Sequence, residues 1–305
     1  MNCQFSILED EALLHISGPD SLNFLQGQTT CDTQEVGGSR ATHGLYCTPQ
    51  GRVVCDFLLL QLEDGHFAMR MRRDIREHAA SVFGKYIVFS KAQLDATNDE
   101  WRVVAVWGEA AAATLEKALG VKPAARHEAV TAGSCIAVQL DDSGHAFECY
   151  GRDVEALLES LSQAAQPCEE SAWQRMQILA GIPRIEAATI EMFVPQVLNY
   201  DLTGHISFTK GCYTGQEVVA RLHYRGKSKR RTFLAQPGEA AGAGDPVFSV
   251  DGAQSIGNVV NCAVGEPRLA LVSATLEAPQ LELHLHSAEG PPVSLSQPPY
   301  PLDTD

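Results

Sequence analysis

The sequence predicts an α+β protein that ends in a separate, smaller β domain. The chain has 305 residues, of which 45% are hydrophobic and 20% are charged, a composition typical of globular domains. Up to about residue 228, short apolar β-like runs alternate with amphipathic helical runs. From residue 229 onward, short β-like runs are separated by glycine, proline and acidic residues. These two patterns predict the fold class and its main division.

The N-terminal elements follow from hydrophobic spacing and turn residues. Residues 12–16 predict a strand, and residues 21–26 predict an amphipathic helix that Asp20 or Ser21 caps and Gly27 ends. Residues 46–57 predict a hairpin whose turn contains Pro49 and Gly51. Further strands are expected at 86–89, 101–106, 134–140 and 146–150, and further helices at 74–83, 109–119, 154–161 and 169–180.

The C-terminal part predicts a small barrel or sandwich. Its β-like runs are residues 231–235, 246–250, 255–263, 269–272 and 281–286. We therefore expect three regions: 1–228 with two α+β subdomains, a β domain at 229–290, and a proline-rich tail at 291–305 that is extended or loosely attached.

Charge and hydropathy restrict the class of protein. The 23 basic and 38 acidic residues give a net charge of −15. No apolar run approaches the roughly 18 to 20 residues that a bilayer span needs, and the first ten residues lack the pattern of a secretory signal. We therefore expect a cytoplasmic protein without a membrane partner. Sequence motifs for nucleotide, dinucleotide or zinc-protease chemistry are also absent.

The nine cysteines form neither a disulfide framework nor a zinc site, because their number is odd and no C-x-x-C pair occurs. His284 and His286 alternate on a β-like run but lack a third ligand, so no metal site is expected. Six cysteines have apolar neighbours and are expected to be buried: Cys31, Cys47, Cys55, Cys135, Cys149 and Cys262. Cys212 differs from them.

Cys212 lies in the densest unusual segment, residues 208–221. Lys210 precedes it by two residues, and a helix that begins near Gln216 would direct N–H dipoles toward it. Positive charge and helix N-termini lower the pKa of a thiol and favour a nucleophile, redox centre or metal ligand. The alternative is a glycine-rich turn in which the cysteine only fills space.

The run K-G-C-Y-T-G-Q-E at 210–217 resembles the signature of the YgfZ family of folate-binding proteins, relatives of the glycine-cleavage T-protein. The resemblance extends to G-P-D at 18–20, F-L-Q-G-Q at 24–28, A-G-I-P at 180–183 and F-V-P-Q at 193–196. It implies a T-protein-like three-domain ring, with two interleaved α+β domains and a C-terminal β-barrel around a folate pocket. It also implies a role in making or repairing iron–sulfur clusters, with a downstream effect on tRNA modification.

The resemblance assigns roles to individual residues. The functional thiol is Cys212, with Lys210 as its setting; the remaining motif residues are Gly211, Tyr213, Gly215, Gln216 and Glu217. Trp173 matches an aromatic position that lies against folate, and the alternative is a core tryptophan. Leu179 stands where T-protein has an acidic residue, and Glu11 where some relatives have tryptophan. Both departures argue against aminomethyl transfer.

Residues 221–231 hold six of the 23 basic residues and predict an anion-binding segment. Arg221 and Arg225 are expected to bind the glutamate tail of folate, with RNA phosphate as the competing ligand and a solvated linker as the third possibility. The net charge of −15 and the lack of interleaved aromatic residues make direct tRNA binding the weaker alternative.

The sequence therefore predicts a tetrahydrofolate-binding factor in iron–sulfur cluster assembly or repair, without classical turnover, that uses Cys212. Its expected ligands are tetrahydrofolate or a derivative and a transient iron–sulfur cluster, and its expected partners are iron–sulfur proteins or cluster carriers. The alternatives are a folate-dependent aminomethyl transferase and a tRNA-binding modification factor.

Overall fold

The computed structural model describes residues 3–250, 252 and 254–302. The described chain forms two compact units. The first contains the residues up to Gly44 together with Phe57–Trp173, and the second contains Leu45–Asp56 together with the residues from Gln174 onward. Within the described residues, none of the helices has the length and apolar character needed to cross a membrane.

Up to Leu179 the chain alternates strands with short helices. The strands are β1 (Gln4–Ile7), β2 (Glu11–Ser17), β3 (Thr42–Cys47), β4 (Val53–Glu63), β5 (His66–Arg72), β6 (Gln93–Asp95), β7 (Arg102–Trp107), β8 (Ala129–Ala132), β9 (Cys135–Gln139), β10 (Ala146–Gly151) and β11 (Gln166–Pro167). The helices are α1 (Ser21–Gln28), α2 (Arg73–Gly84), α3 (Ala111–Leu119), α4 (Glu155–Ser162) and α5 (Glu170–Leu179).

Two sheets organise these strands. One has six strands in the order β11-β1-β7-β10-β9-β8, and the other has five in the order β3-β4-β5-β2-β6. Side chains alternate across each strand, so Val104 and Val106 of β7 share a face with Phe147 and Cys149 of β10. This face packs on α3 and α4 through side chains such as Leu115, and together they form a hydrophobic core.

Helix α1 forms as expected but ends differently. Gly27 lies inside the helix, so the prediction that it ends the helix is wrong. The end is set by Thr29, which has an extended backbone and whose N–H and hydroxyl both donate to the carbonyl of Leu25. At the other end, the carboxylate of Asp20 accepts from the N–H of Lys91 at 2.8 Å and makes no capping bond to the helix.

The predicted strand at 86–89 is wrong. Ile87–Phe89 is a short 3-10 helix instead. Its apolar side chains do not enter a core: Val88 is exposed, and Phe89 is 92% exposed. An apolar run forms a strand only when a neighbouring strand and a core accept it, and this segment has neither within the described chain.

The second unit ends in a closed barrel. Helix α6 (Gln216–Arg225) precedes six strands: β12 (Arg230–Pro237), β13 (Pro246–Ser249), β14 (Gly257–Ala263), β15 (Leu269–Thr275), β16 (Leu283–Leu285) and β17 (Pro292–Ser296). They close in the order β12-β15-β14-β13-β16-β17 around buried residues such as Phe233, Val259 and Val272. The α+β class and the C-terminal β-barrel are therefore confirmed.

The proline-rich tail is not loosely attached at its start. Pro292–Ser296, assigned to the tail by composition, is the strand that closes the barrel between β12 and β16. Proline is tolerated there because Pro292 is the first residue of the strand, where a missing N–H does least harm. Further along, the hydroxyl of Tyr300 donates to the carbonyl of Gly181 at 2.6 Å.

A buried ion pair ties the hairpin turn region to the segment after α5. Asp56 lies 2.6 Å from Nε of Arg184, and its second oxygen accepts from the N–H of Ile185 at 2.6 Å. Both charged side chains are buried. Because the carboxylate meets two donors, its charge is balanced inside the second unit.

Candidate functional site

The motif loop, residues 210–215, is held by buried side chains on either side of Cys212. Lys210 and Tyr213 are both buried, and the ammonium of Lys210 lies 5.1 Å from the centroid of the Tyr213 ring. A cation above an aromatic face is attracted to it. Burial raises the pKa of Tyr213, with the nearby Cys47 thiol adding to the effect, so its phenol stays neutral.

Gly215 fixes the loop against the hairpin turn of the same unit. It has a φ of +83°, and a Cβ built on it would lie 2.5 Å from the carbonyl oxygen of Thr48. Gly51, in the turn itself, has a φ of +73° and closely approaches Val218 of α6. The two glycines permit a backbone approach that any side chain would block.

Helix α6 starts directly behind the loop. The N–H of Gln216 donates to the carbonyl of Tyr213 at 3.2 Å, and the side chain of Gln196 donates to the carbonyl of Val219 at 2.8 Å. Glu217 is an exposed acid in the first turn, where it favours the positive end of the helix dipole. The motif residues Gln216 and Glu217 thus begin the helix that supports the loop.

Cys212 is the exposed cysteine of the described chain; the other eight are buried or half-buried. Within the described residues its thiol has no hydrogen-bond partner. A Cβ at the neighbouring Gly211 would meet no atom within 4 Å, so the approach to the thiol is open. The predicted burial of Cys31, Cys47, Cys55, Cys135 and Cys149 is confirmed, whereas Cys262 is half-buried. A thiol so placed can reach atoms of another molecule.

The basic segment has two kinds of residue. Arg221, Arg225, Lys227 and Lys229 are exposed and Arg230 is half-buried; none of the five has an acidic partner in the part of the chain that the structure describes. Arg231 is different: it is buried, and its guanidinium lies 2.7 Å from Asp201 and 2.8 Å from the carbonyl of Gln196. Arg231 therefore stabilises the fold and is not available to a ligand.

An aromatic cluster lies beside this segment, and sequence reasoning missed it. The rings of Phe208 and His223 stack with centroids 3.7 Å apart and planes at 11°. Tyr224 meets both rings edge-on and is 67% exposed. The cluster is hidden in the sequence because Phe208 and His223 are separated by fourteen residues, and only the turn before α6 brings their rings together.

Trp173 lies in the first unit and is only 1% exposed. Its ring packs on Trp107, with centroids 5.4 Å apart. In the described chain its indole N–H is buried without a hydrogen-bond partner. Leu179, at the end of α5, is 52% exposed. Trp173 therefore contributes to a core, and its N–H is a polar atom that this core leaves unmatched.

A buried layer of charged groups lies in the same unit and was also missed. Arg70 of β5 donates to Glu148 of β10 at 2.9 Å and lies 3.4 Å from Glu11 of β2. The hydroxyl of Tyr150 donates to Glu148, and burial strongly raises the pKa of that phenol. The other oxygen of Glu148, Oε1, has no hydrogen-bond partner among the described residues. A glutamate inside the otherwise apolar strand β10 is the signal that could have identified this layer.

Comparison with known families and structures relates the chain to two groups of proteins. Residues 9–142 match the GCVT N-terminal domain. The glycine cleavage system aminomethyltransferase T of Bartonella henselae is similar in structure, with a TM-score of 0.69 over 98% of this chain and 86% of that chain, at 16% sequence identity. At that identity the likeness shows the fold.

Sequence comparison finds relatives at a higher sequence identity than this structure. The tRNA-modifying protein YgfZ of Photobacterium profundum is 34% identical over 236 residues, which are 76% of this chain and 69% of that protein. The tRNA-modifying protein YgfZ of Escherichia coli O157:H7 is 34% identical over 229 residues, 74% of this chain and 70% of that protein. With this identity and coverage, and with the motif at 210–217 in place, the chain belongs to the YgfZ family.

Proposed function

We propose that this chain is a cytoplasmic, tetrahydrofolate-binding factor of iron–sulfur cluster assembly or repair, and that its effect on tRNA modification follows from that role. The observation that carries the proposal is the exposed thiol of Cys212 on a loop held by Lys210, Tyr213 and Gly215. Relatives named for tRNA modification support the downstream effect.

The exposed thiol suits exchange with a partner rather than storage of a cluster. A cluster needs about four protein ligands. Within the described chain no three His, Cys, Asp or Glu side chains are placed to hold a metal ion together. We propose that the Cys212 thiol loses its proton to solvent and replaces one ligand on the iron of a partner's cluster. The displaced ligand takes up a proton, and no electron is transferred.

The buried layer of the first unit has properties that suit a folate. Glu148 Oε1 is an unmatched acceptor and Trp173 Nε1 an unmatched donor. Glu148 and Trp107 point to the same face of the sheet, since their strand partners are Ala105 and Ala146, and Trp107 contacts Trp173. A pterin has a flat face, N–H donors and ring acceptors, and it carries one-carbon units when bound as tetrahydrofolate. The two unmatched atoms fit the hydrogen-bonding chemistry of the group, with Glu148 and Trp173 as the residues that would hold it. Both side chains are fully buried, so binding requires the layer to open around the ring.

Titration with tetrahydrofolate tests this assignment. We expect folate to raise the thermal stability of the wild-type chain and to change its tryptophan fluorescence. Glu148→Gln should weaken folate binding at least tenfold, whereas Glu35→Gln, an exposed change, should leave it unchanged. Because Glu148→Gln also affects the contact with Arg70, its folding is checked separately by circular dichroism. Absence of binding by the wild-type chain at millimolar folate would remove folate from the proposal.

Folate-dependent aminomethyl transfer is the alternative function. It needs an acid or base at the folate carbon. Leu179, at the position where T-protein has an acidic residue, supplies neither, and so we do not favour a transferase. Release of formaldehyde from an aminomethyl-carrying donor protein would reverse this choice. Arg221 and Arg225 remain predicted anion-binding residues.

A further inference from the structure

We propose that Arg221, Tyr224, Arg225, Lys227 and Lys229, named here the 221–229 surface, bind unpaired nucleotides of an RNA. The surface is distinct from the Cys212 thiol and would add direct RNA contact to a protein whose effect on tRNA is otherwise indirect. The proposal rests on the proposed function in one respect: the effect on tRNA modification is the reason for choosing RNA over other polyanions.

Charge is the first argument. Residues 221–231 contain six basic and no acidic residues, in a chain that carries 38 acidic residues overall. Elsewhere basic side chains of this chain commonly pair with acids, as Arg76 does with Asp99 and Arg152 with Glu63. The four cations of the 221–229 surface have no acidic partner in the described part of the chain. Unpaired, clustered cations on an acidic protein are suited to an anionic ligand.

The exposed ring of Tyr224 is the second argument. Its edge contacts with the rings of Phe208 and His223 hold the Tyr224 ring in position. Two-thirds of the residue nevertheless remains exposed. A fixed aromatic ring among cations matches the way proteins bind single-stranded nucleic acid, where bases stack on rings and cations contact phosphates.

The four cations lie close together along the chain, at the end of α6 and just after it. Arg221 and Arg225 lie one turn apart on α6, about 6 Å along its axis at a rise of about 1.5 Å per residue. Gly226 then has an extended backbone, with φ −134° and ψ 169°, and leads to Lys227 and Lys229 before β12 begins. This arrangement offers charges to several successive phosphates.

Other anions use fewer of these features. The glutamate tail of a folate and an acidic protein segment would both satisfy the cations. Neither carries the series of flat aromatic rings that the exposed face of Tyr224 suits. RNA uses both the charge and the ring, and so the observations favour it.

Fluorescence anisotropy with bulk transfer RNA and with a single-stranded oligouridine tests the proposal. Arg225→Gln/Lys227→Gln/Lys229→Gln should reduce affinity at least tenfold, and should reduce the slope of log K against log salt by about 2, at about 0.7 per cation for single strands. Lys85→Gln/Lys91→Gln/Lys117→Gln removes the same charge elsewhere and should preserve binding. Tyr224→Ala should reduce affinity about tenfold through lost stacking, and Tyr224→Phe should not. Phe89→Ala, at another exposed ring, is the control.

The outcomes separate this proposal from the proposed function. Equal losses in the two triple variants, or an unchanged affinity of Tyr224→Ala, would overturn the 221–229 surface as an RNA site. It would also be overturned if the triple variant lost affinity only for oligoglutamate or for an acidic partner protein. Iron–sulfur enzyme activity in cells carrying the triple variant is measured in parallel. Normal RNA binding by Cys212→Ala together with loss of enzyme activity would show that the thiol and the surface act separately.

Discussion

Gly215 approaches the hairpin turn so closely that a Cβ on it would lie 2.5 Å from the carbonyl oxygen of Thr48. Its φ of +83° is also one that L side chains rarely adopt. We therefore predict that Gly215→Ala destabilises the protein by at least about 2 kcal/mol, because the left-handed conformation alone costs about 1 to 2 kcal/mol and the clash adds to it. Denaturant unfolding measures the change.

Gly211 provides the matched control for this change within the same motif. A Cβ there meets no atom within 4 Å, and its φ lies outside the left-handed region. Gly211→Ala should change the free energy of unfolding by less than about 1 kcal/mol. Equal effects of the two substitutions would contradict the view that Gly215 is the residue that fixes the loop.

The buried pair of Asp56 and Arg184 gives a second prediction. Asp56→Asn leaves the guanidinium of Arg184 without its carboxylate, 2.6 Å away in the native protein. Breaking a buried pair in this way costs about 3 to 5 kcal/mol. The exposed pair of Arg40 and Glu35 is the comparison, and Glu35→Gln should cost less than about 1 kcal/mol. Chemical unfolding of both variants measures the two losses of stability. Equal losses would show that the Asp56 site is open to water and would contradict the prediction.

Glu170 predicts how stability depends on pH. Burial raises its pKa to about 7, with the charges of Asp10 and Glu11 adding to the shift, whereas its ordinary value is 4.5. The folded protein therefore binds more protons than the unfolded chain between these values, and this contribution to stability is lost as pH rises from about 4.5 through about 7.

Glu170→Gln removes that titration and keeps an oxygen to accept from the N–H groups of Glu9 and Asp10. We expect the variant to gain stability relative to wild type as pH rises from 5 to 8, measured by thermal unfolding in buffers of equal ionic strength. A constant difference between the two proteins over this range would show that Glu170 does not titrate there.

Accessibility predicts the order in which the cysteines react. Under native conditions an alkylating reagent should modify Cys212 first, because its thiol is exposed. Burial raises the pKa of Cys47 to about 12 and also raises the pKa of Cys262, so both should react more slowly. Peptide mass spectrometry after brief labelling identifies the modified residue. Faster labelling of Cys47 than of Cys212 would contradict the described positions.

Much of the fold could be predicted because local patterns and tertiary contacts agree. The runs predicted as strands at 101–106 and 146–150, and the amphipathic run predicted as a helix at 74–83, correspond to β7, β10 and α2 with bounds shifted by one residue at most. The prediction failed where distant residues decide. Residues 87–89 are apolar enough for a strand, but no neighbouring strand of the described chain pairs with them. Pro292–Ser296 lies in a segment as proline-rich as an extended tail, but it pairs with β12 and completes the barrel.

The candidate site shows the same limit. The motif and its exposed cysteine could be located from the sequence, because glycines and polar residues cluster at 210–217. The contacts of Lys210 and Arg231 could not be predicted. Lys210 lies over the ring of Tyr213, and Arg231 pairs with Asp201, thirty residues earlier in the chain. A count of charges along one segment does not show which residues of other segments those charges contact.

The central claim is that the Cys212 thiol is chemically required. The most direct measurement is the activity of an iron–sulfur enzyme, under oxidative stress, in a strain that lacks this protein and carries the wild-type gene, Cys212→Ala or Cys168→Ala. Cys168 is half-buried and outside the motif, and its variant is the control. We predict that wild type and Cys168→Ala restore activity and that Cys212→Ala, present at equal abundance, does not. Full activity with Cys212→Ala would contradict the account.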